Sequence, residues 1–299
     1  MRLKRITRGE WIFRIVNTIV LIGFSLIILI PLWTVVMNSF VSQAEIMRRG
    51  VFIFIPEEWN LDAYRLLLGK GSNVYRAYLN TFFIVTVGTA LNLVFTITLA
   101  YGLSKRYLKG RVFFTGMIFF TMLFNGGMVP NYILVKSLGL LDSLWAVIMP
   151  GLVSTWNMFI MRNFFYAIPD SLEEAAFLDG ANPIQVLVKI ILPLSLPSIA
   201  TIGLFYAVGH WNSWFGAMLY INTNTRLPMQ NILRNIVATT SAAALQDVDT
   251  ALFETMQSPP PSQAMKAATI IVGTVPILVV YPFIQKYFVK GVMVGSIKG

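Results

Sequence analysis

Uncharged stretches divide this chain at 15–44, 77–104, 112–135, 143–161, 190–225 and 267–285, the fifth carrying only His210 as a titratable exception. Each holds 19 to 36 residues, and together they cover 156 of the 299 positions. A helix of about 20 apolar residues crosses roughly 30 Å of hydrocarbon, so each stretch can cross once and none can cross twice. The alternating segments of about ten residues that build a membrane β-barrel do not occur. The pattern therefore predicts an all-α membrane protein with six transmembrane helices. The first stretch follows a basic start, Met1-Arg2-Leu3-Lys4-Arg5. Its apolar run is too long for a signal-peptide core and has no small-residue cleavage site, so an uncleaved span is expected.

Six spans place both termini on one side. The segments on that side (1–14, 105–111, 162–189 and 286–299) hold 14 Lys and Arg against 5 acids. The opposite segments (45–76, 136–142 and 226–266) hold 9 against 8, so faces of +9 and +1 make up the chain's +10. Lys and Arg in short loops set orientation, which predicts cytoplasmic termini; the loop Lys105–Arg111 is the strongest marker. The expected organisation is a cytoplasmic tail (1–14), a membrane domain (15–285) and a second cytoplasmic tail (286–299). Composition agrees: 56% of residues are hydrophobic and only 12% charged, where soluble proteins carry roughly 25%. With no cysteine and one histidine, disulfides, thiolate sites and multi-histidine metal sites are excluded. A pI near 9.9 is accounted for by anchoring to anionic membrane lipid, and no nucleic-acid partner is expected.

One cytoplasmic segment, 162–189, is acidic where the others are basic. Ser171 followed by Glu174 has capping-box spacing, and Asp170 and Glu173 favour a helix start. Gly180 suits the position after a helix end, and Asn182-Pro183 suits the start of the next helix. A short helix is expected between two spans, with Leu172, Ala176 and Phe177 on one side and acids on the other. So short a helix is marginal alone and needs the bundle or a partner to hold it.

Within that segment, Glu174-Ala175-Ala176, three residues, Gly180, nine residues, Ile190, one residue and Leu192-Pro193 match every defining position of a known motif. It resembles the EAA loop of ABC-importer permeases, so the chain looks like a type I, MetI-like permease subunit, with the family core over 75–285. The resemblance implies that this loop is the coupling helix seated on a cytoplasmic ATPase. Asp170, Glu173, Glu174, Ala175, Ala176, Asp179 and Gly180 would then make or shape the contact. Small residues permit close approach, glycine turns the chain, and acids can meet Arg or Lys. Asn125-Gly126-Gly127-Met128-Val129-Pro130 and Phe205–Trp214 further resemble the MalG-like carbohydrate permeases, including importers of alginate and rhamnogalacturonan oligosaccharides. The implied partners are a second homologous permease subunit, two ABC ATPase subunits, an extracytoplasmic solute-binding protein and a carbohydrate substrate, at the bacterial cytoplasmic membrane.

No phosphate-binding G-x-x-x-x-G-K-[ST] occurs; Gly69-Lys70-Gly71 lacks the earlier glycine. ATP and magnesium would therefore be bound by the partner ATPase, with no cofactor in this chain. Nor does the chain offer a nucleophile with a base, so it is not read as an enzyme. Spans without acids argue against an ion-coupled secondary transporter, the competing class, although a non-sugar solute stays open.

For the substrate pathway, Tyr206, His210 and Trp214 recur at every fourth position of the fifth stretch, with Ser213 beside them and Trp211 adjacent. On one continuous helix His210 would lie about 31 Å from Lys189, near the outer interface. Sugar contact, an interfacial aromatic belt and helix packing all fit these residues. Asn157, Trp156 and Asn125 are weaker candidates. Pro193, Pro197, Pro276 and Pro282 suggest kinks. The external segments 45–76 and 226–266 suit either a solute-binding protein or packing caps. The second carries Asp247, Asp249 and Pro259-Pro260-Pro261, and 235–246 suits an amphipathic helix.

Overall fold

The computed structural model describes residues 8–69, 72–241 and 263–279, and every regular element among them is helical. Residues 1–7, 70–71, 242–262 and 280–299 lie outside it, and with them Asp247, Asp249, the triple proline, Pro282 and the C-terminal tail. The chain divides into two compact units, residues 1–72 with 233–274 and residues 73–232 with 275–299.

In the first unit, α1 (Arg8–Asn38) is apolar almost throughout and leaves nearly all of that surface exposed. Only its end is buried, by the segment that follows. Trp33 Nε1 donates to the Phe54 carbonyl at 2.9 Å, Asn38 Nδ2 to that of Val51 at 2.7 Å, and Tyr64 OH to Ser39 Oγ at 2.8 Å. Phe40 stands between the rings of Trp59 and Tyr64, with centroids 5.3 and 5.2 Å away. Burial pushes the Tyr64 hydroxyl pKa up. Helices α2 (Gln43–Arg49) and α3 (Asp62–Leu68) complete the cap. Glu45 of α2 is buried and accepts from Arg49 and from the Glu57 N–H. The first segment expected outside thus packs on the end of α1.

The second unit is organised on α4 (Val74–Ser104), against which the helices at 155–166 and 196–212 pack most extensively. Helices α5 (Arg111–Leu123) and α6 (Met128–Ser137) meet at 114° through Asn125-Gly126-Gly127, where Gly127 has φ +89° and its N–H bonds Asn125 Oδ1. Then come α7 (Trp145–Ile148), a single turn carrying Pro150, α8 (Thr155–Tyr166) and α9 (Asp170–Leu178). Helix α10 (Pro183–Val186) runs through a wide π-type turn into α11 (Leu192–Leu194). At Ser195 the axis bends by 84° into α12 (Leu196–Asn212), and Pro193 and Pro197 flank the bend. A proline supplies no N–H for the preceding turn, which is why the helix breaks there. After α13 (Phe215–Tyr220), α14 (Met229–Ser241) begins six residues before the stretch expected to be amphipathic; from residue 233 it belongs to the first unit, as does α15 (Gln263–Val279) up to residue 274.

Of the six transmembrane helices expected, the described residues show fewer as single helices, and the kinks expected at Pro193 and Pro197 form as a sharp break. Among the described residues only α1 and α4 are single helices long and apolar enough to cross a bilayer, or up to four if each bent pair is one span. Absence of charge reports compatibility with the membrane; glycines and prolines inside the same stretches decide where the helix is broken. The core of the unit joins Ala100 and Tyr101 of α4, Met158 and Met161 of α8, Ala176 of α9 and Ile202 of α12.

Candidate functional site

The acidic loop forms the short helix expected of it, with two differences. Pro169, in extended conformation, precedes the helix, so Ser171 already lies inside it and makes no capping box with Glu174. The first-turn acids Asp170 and Glu173 instead meet the positive end of the helix. The C-terminal end is as its residues dictate. Gly180 has φ +82°, its N–H bonds the Phe177 carbonyl at 3.0 Å, and the Ala181 N–H bonds that of Ala176 at 2.9 Å. These are the two bonds of a Schellman ending. Asn182 then caps α10 and exchanges two 2.9 Å hydrogen bonds with Gln185, with Pro183 at the first position.

The buried face of α9 is not Leu172 and Phe177, which are exposed, but Glu173 and Ala176. Ala176 enters the common core. Glu173 forms a close, two-oxygen ion pair with Lys105, the first residue after α4, and the Lys105 ammonium sits 4.1 Å from the centroid of the Tyr101 ring. Both charged side chains are nearly buried, at 13% and 12% exposure. Low dielectric strengthens their attraction and makes either one costly without the other. Sequence reading had Lys105 as a topology marker and Glu173 as an exposed acid, and the 68 residues between them hid the pairing. Asp170, Glu174, Ala175, Asp179 and Gly180 all stay exposed, together with Leu178 at 89% and Ile184 at 73%.

The fifth stretch is arranged differently from its expected single helix. Tyr206 and His210 share a face of α12, but the helix ends at Asn212, so Ser213 and Trp214 lie beyond it in non-helical conformation. The break at Ser195 likewise removes the straight path from Lys189 to His210. Both polar side chains are occupied inside the bundle. Tyr206 OH is 2.7 Å from Thr96 Oγ1 and accepts from the Ser154 N–H at 2.9 Å. His210 Nε2 is 2.6 Å from Asn92 Oδ1, and Asn92 Nδ2 donates to the carbonyls of Gly151 and Leu152 at 2.8 and 2.7 Å. Gly88 makes room for the imidazole, since a Cβ there would stand 2.6 Å from Nε2. Gly88, Asn92 and Thr96 recur at every fourth position of α4, a small and polar stripe of the kind that joins membrane helices. Sequence reading passed over that signal.

The other candidates separate by what their polar groups do. Trp211 Nε1 is buried and has no hydrogen-bond partner among the described residues. Asn157, on α8, is buried, and its side-chain amide has no hydrogen-bond partner among the described residues. Trp214 is partly exposed, with its ring edge-on to Phe215. Trp156 is exposed, and Asn125 serves the α5–α6 turn. In the segment expected outside, Asp142 collects the Thr223 hydroxyl at 2.7 Å, the Thr223 and Asn222 N–H groups, and Arg226 at 3.0 Å. The Thr223 bonds above all hold its carboxyl below the usual aspartate range.

Comparison with known proteins gives this geometry its setting. Residues 4–294 match the family described as the inner membrane component of binding-protein-dependent transport systems. The chain is 44% identical to Protein LplC of Bacillus subtilis, across 98% of this chain and 97% of that one. It is 45% identical to the polygalacturonan/rhamnogalacturonan transport system permease protein YtcP of the same organism, across 93% and 96%. In a crystal structure of a bacterial ABC transporter involved in the import of the acidic polysaccharide alginate, one chain superposes with a TM-score of 0.86 at 33% identity, covering 96% of this chain and all of that one. The all-helical fold and the short helix α9, joined to α4 at its buried face, are thus those of a multi-pass inner membrane protein, and the chain belongs to the family of permease components of binding-protein-dependent importers.

Proposed function

We propose that the chain is a six-span subunit, with both termini in the cytoplasm, that imports oligosaccharides together with a second permease subunit. Two ABC ATPase subunits drive it, and an extracytoplasmic solute-binding protein delivers the sugar. The substrate class follows the polygalacturonan and alginate systems of its relatives. The observation that carries the coupling assignment is the two-sided construction of α9. Glu173 and Ala176 bind it to the bundle, while Asp170, Glu174, Ala175 and Asp179 face outward beside exposed Leu178 and Ile184. A helix of nine residues with exposed acids and apolar side chains is built to meet another protein. Motion of the ATPases would push α9, and the Lys105–Glu173 pair would carry the displacement into α4 and its neighbours.

For the sugar path, Tyr206 and His210 favour the packing role, because their hydrogen-bonding groups are used within the bundle. Trp211 and Asn157 keep free donors and acceptors that a hydroxylated ligand can use. The test is reconstitution of the full importer with Glu174→Lys, reading binding-protein-stimulated ATPase and oligosaccharide uptake. Both should fall together while the complex stays assembled. Uptake equal to the parent's would remove the coupling assignment.

A further inference from the structure

A groove of about 680 Å³ runs between α5 and α8; no coupling residue lines it, and of the sugar-path candidates only Trp156 does. At one end stand Arg111, the first residue of α5, and Arg162, near the end of α8. Their guanidinium carbons lie 5.8 and 5.5 Å from the centroid of the same Tyr166 ring. Arg162 also stacks over Phe159 at 4.8 Å. Neither guanidinium has an ion-pair or hydrogen-bond partner among the described residues, and Arg162 Nε is buried with none. Two cations gathered near one aromatic ring repel each other, an anion between them would relieve that repulsion, and a buried guanidinium donor without an acceptor is costly. Asn163 and the Tyr166 ring share the arginines' end; beyond them the lining is apolar but for Thr115, running past Gly116 and Phe119 to Met122 on α5 and to Trp156 on α8.

We propose that this groove is a binding site for an anionic phospholipid of the cytoplasmic leaflet, its phosphate held by Arg111 and Arg162. Three observations point to a lipid. The charge sits at one end only, next to the basic loop Lys105–Arg111 that marks the cytoplasmic face, so polarity falls along the membrane normal as it does along a phospholipid. From Arg111 to Met122 the helix rises by about 16 Å, close to one leaflet of a hydrocarbon core roughly 30 Å thick. Gly116 leaves the middle of the groove open, with no atom within 4 Å of where its Cβ would be, and an acyl chain fits along such a path. Basic pockets between membrane helices on the cytoplasmic side bind lipid headgroups in this way. The inference rests on the membrane setting and the cytoplasmic placement of the 105–111 loop; it does not depend on the role of α9.

The test uses the complete importer, purified in neutral detergent and incubated with phosphatidylglycerol or phosphatidylcholine, with retained lipid counted by native mass spectrometry. The expected result is retention of phosphatidylglycerol over phosphatidylcholine, and loss of that excess in the double variant Arg111→Gln/Arg162→Gln. Gly116→Leu, which blocks the apolar path and leaves both arginines in place, should lose it as well. Equal retention of the two lipids, or undiminished phosphatidylglycerol in either variant, would overturn the proposal. Displacement by inorganic phosphate would make it a free-anion site, and displacement by an oligouronate a sugar site. Loss of the second permease subunit from the double variant would make it a subunit contact. Because the readout is bound lipid, its failure is distinguishable from failure of the transport assignment.

Discussion

Two regions of the second unit use buried polar side chains to opposite ends. Along the seam between α4 and α12, Asn92, Thr96, Tyr206 and His210 are joined to one another and to the backbone of 151–154, and nothing there is turned outward to a partner. On α9 a single buried pair, Glu173 with Lys105, fixes one face while the other is left open. A closed network makes two helices move as one body, because separating them would strand several hydrogen-bonding groups at once. A single strong attachment on a short helix transmits force and leaves the rest of the surface free. On the proposed coupling reading the contrast divides the labour: α4 with α12 would be the lever, and α9 the handle.

Removing the handle's attachment should have the largest effect. Lys105→Met or Glu173→Ala leaves a buried charge without its partner, worth about 3–5 kcal/mol. That exceeds the intrinsic stability of a nine-residue helix. The expected outcome is fast amide hydrogen exchange confined to α9 and loss of stimulated uptake. The exchanged pair Lys105→Glu/Glu173→Lys should recover part of both.

Breaking the lever should cost less and show elsewhere. A methyl group in Gly88→Ala would stand 2.6 Å from His210 Nε2 and force the imidazole off Asn92. Overpacking of this kind costs about 1–3 kcal/mol, read as lower thermal stability with α9 protection unchanged. Tyr206→Phe removes two hydrogen bonds but keeps the ring; Thr96 is free to turn while the Ser154 N–H loses its acceptor, for a loss of about 1–2 kcal/mol. The smallest effect belongs to Asp142, which lies outside the comparison and serves as its control. Its carboxyl is held below the ordinary aspartate pKa, so its contribution is present above that pKa and disappears as pH falls through the lowered folded-state value. Asp142→Asn should abolish that acid-side dependence in the local exchange of 222–226 and leave both helices untouched.

How much of this was legible in the sequence depends on distance along the chain. The ending at Gly180 and the start at Asn182-Pro183 are local chemistry, a residue that tolerates positive φ followed by a cap, and both form as read. The Ser171–Glu174 box is local too, yet Pro169 sets the helix start one position before Ser171. The pairs that decide the architecture are remote. Lys105 and Glu173 are 68 residues apart, and Asn92 and His210 118 apart. Charge spacing cannot reveal them. His210 drew attention as the only histidine, and its companions drew none because Asn92 and Thr96 are uncharged. The fourth-position recurrence from Gly88 was the available clue. The kink suggested by Pro193 and Pro197 is local and forms between them, but its size was not legible, so the path of about 31 Å from Lys189 to His210 does not hold.

The most direct test of the account places a probe on the outward face of α9. The chain contains no cysteine, so Ala175→Cys, at an exposed position, supplies a unique thiol in this subunit. In the assembled importer, a benzophenone attached at that position should, on illumination, join this subunit to the ATPase. The yield should change when ATP is added. A subunit that stays unjoined, or that is joined to the solute-binding protein instead, would contradict the assignment of α9 as the coupling helix.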